Sequence, residues 1–166
     1  MRARILGTVG MAVLAVALAS CSSGPGEKFS DLGGPHIADG QTFTGYNSAP
    51  PTSGPHWGVS STTPAPWGIK SEPLPNERQV HNLEHSGIMI QYNTEDQNLI
   101  TQLRRFAQQQ SDFPCFLVVA PYPDMQFTVA VTAWGVRDTM DSYDEERLQQ
   151  FVDAYIRKGP ERVPCG

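Results

Sequence analysis

Two short apolar runs decide the fold: residues 88–92, Ile-Met-Ile-Gln-Tyr, and residues 116–120, Phe-Leu-Val-Val-Ala. Each run has the length of one strand and is flanked by polar or turn-forming residues, which predicts two buried strands. A helix is predicted between them, capped by Thr94 with Gln97 as its capping-box partner. Its apolar face is formed by Leu99, Ile100, Leu103, Phe106 and Ala107.

Two more elements are predicted downstream. Residues 126–134 are rich in Val, Thr and Phe, which indicates a third strand that forms a hairpin with the second. Ser142 and Glu145 then form a capping box for a second helix, which ends at Gly159-Pro160. The resulting order, β-α-β-β-α, predicts an α+β fold in which two helices pack on a small β-sheet.

The segment before this core is of a different kind. Residues 35–78 contain eight of the 14 prolines and little periodicity, so we expect an ordered but irregular N-terminal arm. The sequence also permits a short strand within residues 41–46. Residues 35–166 therefore form a single globular domain, with the proline-rich arm at 35–78 and the α+β core at 79–166.

The first 20 residues have the pattern of an export signal. Arg2 and Arg4 precede an apolar run of about 15 residues, which is short of the ~20 needed to span a bilayer. Small residues and then Cys21 follow, which predicts a lipoprotein signal peptide at 1–20 with lipidation of Cys21. Residues 21–34 are predicted to be a flexible tether, and the domain is expected to be extracytoplasmic, anchored to the bacterial cell membrane.

Charge and cysteine content narrow the possibilities. Without the signal the chain keeps 10 basic and 17 acidic residues, so its formal charge is −7, which argues against a nucleic-acid partner. Cys21 is assigned to lipid, which leaves Cys115 and Cys165. In an oxidising compartment a disulfide between these two is expected, although thiol ligation of a metal is the alternative.

The chain has only four histidines, His36, His56, His81 and His85. In a strand, His81 and His85 would lie about 13 Å apart, too far for one ion. In a helix or turn, residues four apart lie within about 6 Å of each other. A shared metal therefore requires residues 80–86 to form a turn or a short helix.

Imidazole ligands suit zinc, copper, iron and nickel, and a thioether shifts the preference towards copper. Met125, at a turn between two strands, supplies such a sulfur. We therefore predict a copper site formed by His56, His81, His85 and Met125, with a storage, delivery or redox role and an unidentified metal-transfer partner. The remaining candidate residues are His36, as a reserve ligand, and Glu84, as a carboxylate that orients a histidine.

Two other functions are compatible with the sequence. Residues 81–85, His-Asn-Leu-Glu-His, match the inverted zinc-protease motif, in which Glu84 would be the general base of a zinc hydrolase. Against this, such enzymes carry the motif on a long helix of a larger domain. Alternatively, the arm forms a pocket or partner surface in a binding module that holds no metal.

Several longer strings resemble a known family. They are Gly-Pro-His-Ile at 34–37, Tyr-Asn-Ser-Ala-Pro-Pro-Thr-Ser-Gly-Pro-His-Trp at 46–57, Val-His-Asn-Leu-Glu-His-Ser-Gly at 80–87 and Thr-Ala-Trp-Gly at 132–135. Over residues 34–162 the chain resembles the bacterial family catalogued as domain of unknown function 3105. The resemblance implies an exported or membrane-anchored protein whose histidines lie in family motifs. The preference for copper comes from ligand chemistry.

Overall fold

The strand at residues 88–92 lies at the centre of a six-stranded sheet. The structure, a computed structural model, describes residues 24–58 and 63–165, and in this part of the chain it contains eight strands and three helices. In chain order they are β1 (Glu27–Lys28), β2 (His36–Ile37), β3 (His56–Trp57), β4 (Gly68–Ile69), α1 (Asn76–Glu84), β5 (Ile88–Tyr92), α2 (Gln97–Gln109), β6 (Leu117–Pro121), β7 (Val129–Ala133), β8 (Val136–Met140) and α3 (Glu145–Tyr155).

The strand order of the main sheet is β1-β8-β7-β5-β6-β4. Strands β4, β6 and β5 run parallel to one another, whereas β5, β7, β8 and β1 pair in antiparallel fashion. Strands β2 and β3 form a separate parallel pair in which His36 lies opposite His56. The α+β class predicted from the sequence is confirmed.

The two faces of the main sheet bury different sets of side chains, because neighbouring residues of a strand point in opposite directions. Ile88, Ile90 and Tyr92 of β5 pack into the larger core together with the apolar faces of α2 and α3. Met89, between them, packs on the opposite face against Leu83 of α1. Helix α1 and the arm therefore cover one face of the sheet, and the other two helices cover the other.

The predicted hairpin between the second and third strands is wrong. Strand β7 pairs with β5 and with β8, and β6 lies on the other side of β5. The hairpin partner of β7 is β8, which the sequence analysis missed because Arg137 and Asp138 interrupt its apolar residues. Trp134 and Gly135 form the two-residue connection, and the positive φ of 72° at Gly135 suits such a tight turn.

Both predicted helices are present, but their caps lie two residues later than expected. Asp96 accepts a hydrogen bond from the backbone N–H of Asn98, and Asp144 accepts one from that of Arg147. An aspartate is favoured at this position because its charge also complements the helix dipole. The second predicted helix ends at Tyr155, before the predicted Gly159-Pro160 stop.

The arm contains no strand at residues 41–46. These residues have no regular structure, and the backbone N–H of Phe43 donates to the Glu77 carboxylate at 2.7 Å. A third helix, α1, begins in the last residues of the predicted arm and includes most of the segment that a shared metal site requires to form a turn or a short helix. The condition stated for residues 80–86 is therefore met.

Part of the predicted tether is attached to the domain. Residues 27–28 form the edge strand β1 against β8, and the Tyr155 hydroxyl donates to the carbonyl of Pro25 at 2.9 Å. The predicted signal peptide and Cys21 lie outside the described residues. No helix in the described ranges is both long and apolar enough to cross a membrane.

The C-terminal tail is held to the core by a disulfide and by hydrogen bonds. Cys115 and Cys165 are disulfide-bonded, with 5.7 Å between their Cα atoms, as the sequence predicted. The Ser86 hydroxyl donates to the Glu161 carbonyl at 2.6 Å, and the Glu161 N–H donates to the Glu84 carbonyl at 2.9 Å. The tail therefore lies against the end of α1.

We expect the double substitution Cys115→Ala with Cys165→Ala to lower the free energy of unfolding by about 4 kcal/mol. The disulfide closes a loop between residues 50 positions apart. Without it the unfolded chain has more conformational entropy, which favours unfolding. Urea denaturation followed by tryptophan fluorescence measures the difference. A loss close to zero would show that the hydrogen bonds alone hold the tail.

Candidate metal centre

The last turn of α1 determines the geometry of the site. His81, Glu84 and His85 stand at positions i, i+3 and i+4, which places their side chains on one face of a helix. The turn closes through hydrogen bonds from the His85 N–H to the His81 carbonyl and from the Gly87 N–H to the Asn82 carbonyl. Three potential ligands are therefore presented together.

The arm brings the other two histidines to this face. His56 on β3 is fully buried, and the parallel pairing of β2 with β3 places His36 beside it. The ring centroids of His36 and His56 are 4.9 Å apart, and those of His56 and His81 are 5.0 Å apart. Residues that are distant in sequence thus meet in one cluster.

Backbone carbonyls orient two of the rings. Nδ1 of His56 lies 2.9 Å from the carbonyl oxygen of Gly54, and Nδ1 of His81 contacts the carbonyl oxygen of Trp57. A carbonyl only accepts, so each Nδ1 must carry the proton and donate it. In the neutral form of each ring, Nε2 is then unprotonated and can serve as a ligand, which is the arrangement usually found in metal-binding histidines.

The carboxylate of Glu84 lies among these nitrogens. Its Oε2 is 2.9 Å from Nε2 of His56 and 3.4 Å from Nε2 of His36. Ligand atoms of His36, His56, His81 and Glu84 all lie within 4.8 Å of one another. Because Nε2 of a neutral His56 and the Glu84 oxygen are both acceptors, their contact requires a cation between them, either a proton or a metal ion. The cluster therefore has the composition and spacing to hold a metal.

His85 lies at the edge of this cluster and belongs to a second group. Its Nε2 is 3.1 Å from Nε2 of His81 and 3.3 Å from Oε2 of Glu161. Ligand atoms of Glu84, His85 and Glu161 also lie within 4.8 Å of one another. Glu84 is thus common to both groups.

Burial controls the charge of the helix histidines. Desolvation lowers the pKa of His81 to about 4, although its backbone hydrogen bond opposes the shift. Desolvation also lowers the pKa of His85, against the attraction of the Glu161 carboxylate. Both rings are therefore neutral near pH 7, which is the form that binds metal.

Two glycines allow the arm to approach closely. A Cβ atom at Gly34 would collide with Oε1 of Glu84, and one at Gly58 would collide with the His36 ring. A side chain at Gly34 would disturb the contact of the arm with Glu84, and one at Gly58 would displace the His36 ring within the arm. These glycines are therefore part of the construction of the site.

Two of the predicted ligands, His56 and His81, lie in the first group with the reserve ligand His36 and with Glu84. The third predicted histidine ligand, His85, lies next to this group. Met125, predicted as the fourth ligand, is buried in an apolar cluster with Tyr122, Ala130 and Phe127.

No motif in the sequence points to Glu161 as a site residue. It is an exposed acid in a short tail, and in the sequence only the nearby Cys165 indicates that this tail contacts the domain. Sequence spacing gave no indication that it contacts His85. The hydrolase motif is located on α1, but its Glu84 carboxylate contacts His36 and His56.

Comparison with known proteins identifies a family. No curated protein and no solved structure matches the chain. The family model described as Protein of unknown function (DUF3105) matches residues 36–166, a range that contains all four histidines, Glu84 and Glu161. This match covers most of the chain and agrees with the resemblance found in the sequence motifs. The chain belongs to the DUF3105 family.

Proposed function

We propose that this protein binds one transition-metal ion through the free ring nitrogens of His36, His56 and His81 and a carboxylate oxygen of Glu84. Copper is the ion we favour. Three imidazoles and one carboxylate form a set of ligands that proteins use for both copper and zinc.

The observation that carries the proposal is the surplus of lone pairs in the cluster. In neutral rings, Nε2 of His56 and Nε2 of His81 are both acceptors, because their Nδ1 atoms donate to carbonyls. They lie in the same group as the Glu84 carboxylate, which is itself almost buried. Buried acceptors that face one another are costly unless a cation lies between them.

The choice of copper rests on ligand hardness and on the general order of affinities. Sites built from nitrogen and oxygen hold Cu²⁺ more tightly than Zn²⁺ or the other divalent ions of the first row. A thioether would favour Cu⁺, but Met125 packs among apolar side chains. The proposed ion is therefore Cu²⁺, with zinc as its main competitor.

The proposed location is the outer face of a bacterial membrane, with the domain attached through lipid on Cys21. The export pattern at residues 1–20 supports this, and so does the Cys115–Cys165 disulfide, because disulfides persist in oxidising compartments. A copper protein at this location would store copper, deliver it or use it in redox chemistry. Storage or delivery would require a partner protein that exchanges the ion.

We expect the purified protein to retain one equivalent of Cu²⁺ after dialysis, and His36→Ala to weaken binding by at least about tenfold. His36 is the best variant for this test because 47% of its side chain is exposed, so its loss disturbs the core least. Metal content by mass spectrometry and a Cu²⁺ titration measure the effect. All four histidines belong to the two groups, which leaves no histidine for a control variant. The control is therefore Glu95→Gln, because Glu95 is an exposed carboxylate outside both groups.

A second set of variants tests the interior of the site. Glu84→Gln keeps the shape of the side chain and removes its charge, and we expect it to lose the ion while circular dichroism stays unchanged. If wild-type protein holds no metal above background, the proposal is wrong, and the histidines serve to attach the arm to α1.

The identity of the ion can be tested by competition. When equal amounts of Cu²⁺ and Zn²⁺ are supplied, we expect copper to be retained, and Met125→Leu to leave the result unchanged. Retention of zinc would contradict the assignment to copper. A loss of copper in Met125→Leu would instead indicate a sulfur ligand and the Cu⁺ state.

The lipid anchor is tested by Cys21→Ser. We expect this variant to lose the incorporation of radiolabelled palmitate and to leave the membrane fraction when cells are fractionated, because its thiol acceptor is gone. Cys165→Ser is the control, since that residue lies in the folded domain. Continued labelling of the Cys21 variant would contradict the lipoprotein assignment.

A further inference from the structure

We infer that the protein has a second cation position, formed by Glu84, His85 and Glu161, which shares Glu84 with the first. The inference rests on the metal site proposed above and adds a dinuclear arrangement to it. The occupant is a divalent transition-metal ion of borderline hardness, such as Zn²⁺, because two carboxylates and one imidazole suit such an ion.

The geometry of the group supports this inference. Its ligand atoms lie within 4.8 Å of one another, the same limit that holds for the inner group of His36, His56, His81 and Glu84. Nε2 of His85 lies 3.3 Å from Oε2 of Glu161 and 3.1 Å from Nε2 of His81. The two groups therefore adjoin each other at the end of α1.

The charges of the group give a further argument. Glu84 and Glu161 bring two carboxylates close to one imidazole ring. A cation between them would offset the negative charges of both carboxylates.

The backbone holds Glu161 in place. Its N–H donates to the Glu84 carbonyl, its carbonyl accepts from the Ser86 hydroxyl, and the disulfide at Cys165 attaches the tail four residues later. Gly159 also donates its N–H to the Ser86 hydroxyl at 3.0 Å. These contacts fix the position of Glu161 beside His85, although half of the Glu161 side chain is exposed.

The second position is more exposed than the first. The side chains of Glu161 and His85 are 50% and 18% exposed, whereas that of His56 is fully buried. An ion there also lies near the charge of the first ion, and the two ions share one carboxylate. We therefore expect weaker binding at the second position than at the first.

The test uses the full-length protein in detergent, loaded with one equivalent of Cu²⁺ and then titrated with Zn²⁺ in a calorimeter. We expect one equivalent of Zn²⁺ to bind without displacing copper. Glu161→Gln should weaken zinc binding by about tenfold or more and leave the copper content unchanged. His85→Ala should have the same effect on zinc, and Glu95→Gln should have none.

The outcomes separate the two proposals. If copper is retained but no zinc binds, or if Glu161→Gln binds zinc as wild type does, the second position is wrong and the first site stands. Displacement of copper by zinc also overturns the second position, because it would show a single shared site. If wild type retains neither copper nor zinc, both proposals are wrong.

Discussion

The contact between His56 and Glu84 is the constraint on which the site depends. A histidine with no exposed surface meets a carboxylate that is almost buried, across 28 positions in the sequence. Burying a charged carboxylate is costly unless a cation or hydrogen-bond donors compensate it. The arm and α1 must therefore be held at a fixed distance, and several features of the chain serve that requirement.

The short string at residues 81–85 shows how one helical turn meets this requirement. His81 and Glu84 belong to the inner group and His85 to the adjoining one. Asn82 exchanges two hydrogen bonds with the backbone of Ala65, at 3.0 and 2.8 Å, and so attaches the arm. Leu83 faces the sheet and packs against Met89. One turn therefore contributes to the site, the arm and the core at once, which leaves each of its positions little freedom to vary.

Local patterns predicted the elements but not how distant elements meet. The strand at 88–92 and both long helices follow from apolar spacing, since a buried strand or helix face needs a continuous set of apolar residues. The helix α1 lacks such a pattern because most of its buried residues are polar, among them Glu77, Gln79 and Asn82. Sequence spacing could indicate only that a metal site requires a turn or a short helix there.

The same reasoning explains which ligands were found and which were not. His81 and Glu84 are neighbours through a single turn, so their proximity follows from helix geometry. His36 joins the cluster only because β2 pairs with β3, and Glu161 reaches His85 only because the tail is held by Ser86 and by the disulfide. These contacts depend on tertiary pairing, which the spacing of residues does not encode.

Hydrogen bonds to the backbone orient the ligands independently of any ion. The carbonyls of Gly54 and Trp57 fix the Nδ1 protons of His56 and His81, so the metal-facing nitrogens are set by the fold. Gly34 leaves room for the Glu84 carboxylate beside the arm, and Gly58 leaves room for the His36 ring. A cluster oriented in this way changes mainly its charge when an ion enters, because the positions of its donor atoms are already determined by the surrounding backbone.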